Sequence, residues 1–262
     1  MNNTYAEVFA TVLGENQIKI NEPMSRHTTF GIGGPADCFL IPKTAEELCI
    51  VTRLAYKYGM PVFVLGGGAN LLVRDKGIRG VVIFTGRLQK IEQNDNLLKV
   101  SSGVSTAQAA RAAYDSGLSG MEFASGIPGT IGGAAYMNAG AYGGEMSKII
   151  VSATTCDRKG DLITYDSRDI RYSYRHSLFM ENGEVIVDIT LSLKPGNKKD
   201  IKALMDDLNN RRRTKQPLEK RSAGSTFKRP DGHFVGQMIE ELGLKGFAVG
   251  DAAVSEKHAG FL

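Results

Sequence analysis

Glycines are the first residues here whose spacing could do chemistry. Val62-Phe63-Val64-Leu65 runs straight into Gly66-Gly67-Gly68, followed by Ala69, Asn70 and Leu71. Glycines at the end of a strand expose successive backbone N–H groups with no Cβ in the way, and such a loop can wrap a diphosphate. It is neither of the common nucleotide loops. Leu71 stands where a dinucleotide fingerprint needs its third glycine, and no Gly-Lys-Ser/Thr follows. A plain tight turn is the alternative. A second run, Ser125-Gly126-Ile127-Pro128-Gly129-Thr130-Ile131-Gly132-Gly133, lets backbone approach a large planar ligand closely, with the Thr130 hydroxyl as a donor. Asn138 to Gly144 repeats the theme, and its alternative is a pair of loops packed on a sheet. Three such clusters in one chain favour a single shared dinucleotide-like ligand over three unrelated turns.

Other chemistries find little support. No CxxC or HExxH occurs and the four histidines are scattered, so no metal site is expected. Cys38, Cys49 and Cys156 are odd in number and widely spaced, which suits reduced thiols in a cytoplasmic protein better than a disulfide framework. A net charge of +4 is too weak to argue for nucleic acid, and an anionic small molecule explains it equally well. No apolar stretch reaches the length of a membrane span, and the N-terminus lacks the basic and apolar regions of a signal peptide.

The elements that must position these loops mix strand and helix throughout, an α+β pattern. Strands are expected at 36–41, 61–65, 80–84, 97–101, 149–156 and 184–193. Thr44 and Glu47 form a capping box that opens a helix to about Tyr58, with Leu48, Val51, Leu54, Ala55 and Tyr58 on one face and Gly59 as its stop. Ser105 caps an Ala-rich helix to about Ser116, ended by Gly117. Pro195-Gly196 marks a boundary. Beyond it, a helix over 198–213 turns Ile201, Leu204, Met205 and Leu208 inward and ends in Arg211-Arg212-Arg213, and a further helix runs from about His233 to Leu242.

Seven motifs now stand in order. They are Thr29-Phe30 with Gly33-Gly34-Pro35-Ala36, Leu65 to Leu72, Gly126-Ile127-Pro128-Gly129 with Gly132-Gly133, and Asn138 with Gly140-Ala141-Tyr142-Gly143. Then follow Tyr174-Arg175 with Ser177 and Phe179, Ala223-Gly224-Ser225 with Phe227, and Ser255 with Lys257-His258-Ala259-Gly260-Phe261. Together they resemble the UDP-N-acetylenolpyruvoylglucosamine reductase family from about residue 20 onward. The short connection from Phe179 to Glu184 resembles the subtype without the substrate-closing tyrosine loop.

The resemblance implies a two-part FAD-binding domain of the vanillyl-alcohol-oxidase/PCMH type over 1–196, split near 75–85, followed by an α/β substrate-binding domain over 197–262. It implies FAD held by Gly66, Gly67, Gly68, Ala69, Asn70 and Leu71, and by Ser125, Gly126, Ile127, Pro128, Gly129, Thr130, Gly132 and Gly133. It further implies NADPH as reductant, a UDP-sugar substrate and a place in peptidoglycan synthesis, in a cytoplasmic monomer. Arg175 would stabilise negative charge at the reacting group, and Ser225 would supply the proton; without the resemblance they read as a surface arginine and a loop-tightening serine. Tyr142, Arg213, Lys228 and Arg229 are candidate substrate contacts. The tri-arginine run is equally a cationic helix end, and Tyr142 equally a core tyrosine. His258 resembles a structural residue of its motif. The family carries a catalytic glutamate beyond the last of these motifs, and Glu240, Glu241 and Glu256 do not match it. The resemblance therefore implies a C-terminally incomplete substrate domain, and a flavin- and UDP-sugar-binding protein with little turnover is the alternative.

Overall fold

The computed structural model describes residues 2–262, and two lobes emerge, each with its own sheet. In the first, helix α1 (Asn2–Phe9) precedes strand β1 (Ile18–Pro23), β2 (Pro35–Leu40), helix α2 (Ala45–Lys57), β3 (Val62–Leu65) and β4 (Ile78–Phe84). The sheet order is β1-β2-β4-β3. β1 lies antiparallel on β2, with Ile18 opposite Leu40 and Pro23 opposite Pro35, while β2, β4 and β3 are parallel. The three parallel strands end together at one edge, which puts Gly66 beyond β3 there. α2 begins as its sequence requires, with the Thr44 hydroxyl accepting from the Glu47 N–H. Only half of the capping box forms. The Glu47 carboxylate turns instead to the Lys43 N–H and the Gln17 side chain, which ties the helix start to the approach to β1. Leu48, Val51 and Ala55 are buried, but Tyr58 is exposed because it lies one residue past the last helical position, beside the left-handed Gly59.

The second lobe follows in chain order as β5 (Ile91–Asn94), β6 (Leu97–Ser101), helix α3 (Thr106–Asp115), a short β7 (Leu118–Ser119), helix α4 (Ile131–Tyr136), and the hairpin β8 (Gly140–Ala141) and β9 (Gly144–Glu145). Then come β10 (Ile150–Cys156), β11 (Leu162–Asp166), α5 (Phe179–Asn182), β12 (Val185–Ser192) and β13 (Lys194–Pro195), which pairs with β7. The main sheet has the order β11-β10-β12-β6-β5 and is antiparallel throughout. Ser105 and Gln108 complete a reciprocal capping box at α3, and Gly117 ends it in the left-handed region. β4 completes the first sheet, and β5 opens the second. α2 joins the lobes, because its apolar face shares a core with Cys156, Val185 and Val187 of the second sheet.

Helix α6 (Lys198–Lys215) docks on the second lobe, with Ile201 and Leu208 buried and Met205 packed against the lobe's core. Leu204, expected inward, is 46% exposed. It falls one position off the 201-205-208 stripe that faces the lobe. Helix α7 (Val235–Glu241) and the hairpin β14 (Ala248–Val249) and β15 (Ala252–Ala253) follow. No described helix is long and apolar enough to cross a membrane.

Candidate active site

The two glycine runs meet backbone to backbone. A Cβ at Gly66 would lie 2.5 Å from Thr130 Oγ1, and one at Gly67 would lie 2.7 Å from Gly129 Cα. Gly68 is left-handed at φ +62, and a Cβ there would overlap the His27 carbonyl oxygen. Glycine is therefore required by close approach at Gly67 and by both approach and torsion at Gly68. The N–H groups of Gly67, Gly68, Ala69 and Asn70 meet no protein acceptor among the described residues. Leu71 packs under the loop with Phe63 and Phe84. Thr130 caps α4 by accepting from Gly133 N, and Gly132 is pressed against Ser102. The Ser102 hydroxyl is buried and unpartnered beside this helix start.

Helix α6 closes the far side of the second run. Ser125 Oγ donates to Asn209 Oδ1 at 3.3 Å. Arg212, one turn on, places its Nε 3.1 Å from where a Gly126 Cβ would be. Arg212 is half-buried, forms no ion pair among the described residues, and burial pushes its guanidinium below the usual arginine range, with Tyr142 opposing that shift. Of the three consecutive arginines, Arg212 thus faces the glycine loop. Arg211 pairs with Asp207, and the exposed Arg213 uses its carbonyl to accept from Lys257 Nζ at 2.7 Å. The clue lay in the sequence: extending the 201-205-208 stripe by four residues reaches 212 and not 213.

Arg175 is fixed by its own backbone and by two carbonyls. Its φ of 54° is left-handed, a conformation that a bulky residue holds only when its surroundings impose it. Nη1 donates to Asn138 O at 3.2 Å and Nη2 to Gly140 O at 3.1 Å, and the guanidinium lies over the Tyr174 ring. Asn138 is the buried hub of this corner, a role the sequence did not reveal. Its Nδ2 donates to Glu145 and to Ser173 O, and its Oδ1 accepts from Ser147 N. Tyr142 sits at the tip of the β8–β9 hairpin, left-handed at φ 52 and 44% exposed, so it is not a core tyrosine.

The Ser225 loop reaches both sides of this region. Thr226 N donates to Gly260 O and Ser225 bridges Phe261, so the loop pairs with the Lys257–Phe261 segment. Thr29 Oγ1 donates to Ser222 O at 2.6 Å, which attaches the loop to the first lobe. Arg229 N donates to Tyr174 Oη at 3.3 Å, which brings 228–229 beside the Arg175 turn. The Arg229 guanidinium itself stacks on Phe234 and donates to His233 O, while Lys228 is exposed. Ser225 Oγ takes no partner among the described residues, so its hydroxyl is not spent on tightening the loop. A cavity of about 610 Å³ lined by Lys19, Lys43 and Arg87 lies at the β1 edge, opposite the β3 edge that carries the glycine loops.

These features fit a flavin dinucleotide: a cradle in which side chains have no room, unpaired backbone donors along it, and one guanidinium at its border. Residues 36–166 match the FAD binding domain family. The fold is shared with p-cresol methylhydroxylase (TM-score 0.55, 15% identity, 74% of this chain and 43% of that one). The chain is thus a flavoprotein oxidoreductase of the PCMH-type fold. Residues 216–262 match the C-terminal domain of UDP-N-acetylenolpyruvoylglucosamine reductase. The reductase of that name from Clostridium kluyveri is 47% identical over 96% of this chain and 83% of its own length. That of Exiguobacterium sibiricum is 48% identical over 95% and 82%. The crystal structure of the Thermus caldophilus reductase superposes with a TM-score of 0.81 at 34% identity, covering 93% of this chain and 86% of that one. The chain belongs to the UDP-N-acetylenolpyruvoylglucosamine reductase family.

Proposed function

We infer that the chain is an FAD-dependent reductase that uses NADPH to saturate the enolpyruvyl group of UDP-N-acetylenolpyruvoylglucosamine, giving UDP-N-acetylmuramate for peptidoglycan. The observation that carries the site assignment is the backbone-to-backbone docking of Gly66–Gly68 on Gly129-Thr130. Residues 66–71 would hold the FAD diphosphate through backbone N–H groups, and Ser125–Thr130 with Gly132-Gly133 would flank the ring system. FAD bound there would supply the redox chemistry between NADPH and the enolpyruvyl double bond.

The remaining chemistry falls to side chains. Arg175 faces the charge that builds beside the substrate carboxylate. Two of its N–H groups are anchored on carbonyls, which orients the rest of the fork before substrate arrives. Ser225 gives its hydroxyl proton to the adjacent carbon, and a serine suffices because that carbon is strongly basic at that moment. Tyr142 and Arg213, with Lys228 and Arg229, form the rim for the UDP moiety, and Arg212 joins them at the flavin border. The substrate module begins near residue 216, since α6 shares the second lobe's core. Buried free thiols support a reducing, cytoplasmic setting, and size-exclusion chromatography tests the monomer that the resemblance implies.

Ser225→Ala tests the assignment. Bleaching of the flavin by NADPH should stay at the parent rate, while reoxidation by the enolpyruvyl substrate slows about 10²–10⁴-fold. Equal loss of both half-reactions, or of neither, contradicts the role of Ser225. Arg175→Lys keeps the charge but loses the planar fork, and should also slow only the second half-reaction.

A further inference from the structure

One residue touches both halves of the machinery just described. Thr29 sits in a tight turn in which Gly31 N donates to Thr28 O and Thr28 Oγ1 donates to Ile32 O. Its backbone N–H donates to Gly68 O at 3.1 Å, on the cofactor loop. Its hydroxyl donates to Ser222 O at 2.6 Å, on the loop that carries Ser225. We propose that Thr29 is a positioning residue that fixes Ser225 relative to the flavin loop by holding both strands of chain at once. This rests on the reading of Ser225 as proton donor.

The surroundings make the hydroxyl bond the adjustable part. Ser222 lies three residues before Ser225, and the loop between them is already shaped: Gly224 N donates to Ser222 Oγ, and Gly224 is left-handed at φ +84. On its far side the loop is pinned by Thr226 N to Gly260 O and by the Ser225–Phe261 bridge. Thr29 supplies the pin on the near side. Arg221 helps by lying across Gly31, where any Cβ would overlap its guanidinium. A loop held at both ends presents Ser225 Oγ in one place, and one held at a single end does not. Displacement of a reacting group by about 1 Å can cost on the order of a hundredfold in rate.

The test uses the FAD-loaded protein and the pair Thr29→Val and Thr29→Ser. Valine keeps the shape and the backbone bond to Gly68 and removes only the hydroxyl. Hydrogen exchange followed by mass spectrometry should show amides 223–226 exchanging about tenfold faster in Thr29→Val. Thr29→Ser should return close to the parent. Flavin content and bleaching by NADPH should not change, while reoxidation by the enolpyruvyl substrate should slow at least tenfold in Thr29→Val alone. Parent-like exchange at 223–226 in Thr29→Val overturns the proposal. So does parent-like reoxidation in that variant while Ser225→Ala is slow. Loss of flavin from Thr29→Val assigns the residue to the cofactor loop alone and also overturns it. If Ser225→Ala itself reoxidises at the parent rate, the Ser225 reading fails, and the exchange result still decides whether Thr29 fastens the loop.

Discussion

At the scale of single residues, the account turns on contacts that leave no room for a Cβ. Gly67 has an ordinary backbone torsion, so alanine there is opposed only by the Gly129 backbone at 2.7 Å. Gly67→Ala should push the two glycine loops apart and weaken FAD binding at least tenfold, with a fall in stability of about 1–3 kcal/mol. Flavin absorbance per protein and thermal melting measure the two effects. Arg212 is expected to show the opposite balance. A half-buried guanidinium without a carboxylate partner is held against its own solvation. Arg212→Met should raise the stability of the flavin-free protein by about 0.5–2 kcal/mol while weakening FAD or substrate binding, the signature of a residue kept for function. Arg213→Met should leave stability and FAD binding unchanged and weaken only UDP-sugar binding, as expected of an exposed rim residue. The glycine loops were legible in the sequence because close approach admits few residues other than glycine. The choice among the three arginines was not, because it depends on the helical phase at which α6 docks.

Among the elements, those with a clean period or cap were the readable ones: α2, α3, β6 and the apolar strands around β12. β1 escaped because Lys19, Asn21 and Glu22 interrupt its apolar pattern, yet it pairs along nearly its whole length with β2. α4 escaped because its Gly132-Gly133 pair looks like loop, although Thr130 caps it in the ordinary way. β1 also carries an acid-sensitive link beneath the flavin loop. Burial alone would raise the Glu22 carboxyl, but the hydrogen bonds from His27 at 2.8 Å and Lys19 at 3.3 Å outweigh it and hold Glu22 below its ordinary 4.5. A lowered native value means that this stabilisation is complete above about pH 4.5 and is lost as pH falls through the native value. His27 stacks on Phe39, and its carbonyl faces Gly68, so the link supports the flavin loop directly. Melting temperature should therefore fall more steeply below pH 4.5 in the parent than in Glu22→Gln, in which that position no longer titrates. Equal slopes would show that the pair is not responsible.

For the whole molecule, strand order was the least legible property. β6 pairs with β12 across some ninety residues of sequence, and β4 inserts between β2 and β3; neither pairing leaves a local mark. What the assembled fold does show is that all three cysteines are buried and free. Burial, reinforced by Asp37, pushes Cys38 up to about 12, and the adjacent Cys49 thiol together with burial raises Cys156. The folded protein should resist thiol reagents at neutral pH, and all three cysteines should react once it is unfolded in guanidinium. Rapid modification of the native protein would mean that the lobes open around α2. The same assembly brings the glycine loops, the Arg175 turn and the Ser225 loop to one region, and the claim that this region is a flavin reductase site is tested most directly by anaerobic stopped-flow absorbance. The purified yellow protein should bleach with NADPH and then recover its flavin absorbance rapidly on mixing with UDP-N-acetylenolpyruvoylglucosamine. Bleaching without recovery on that substrate would contradict the account.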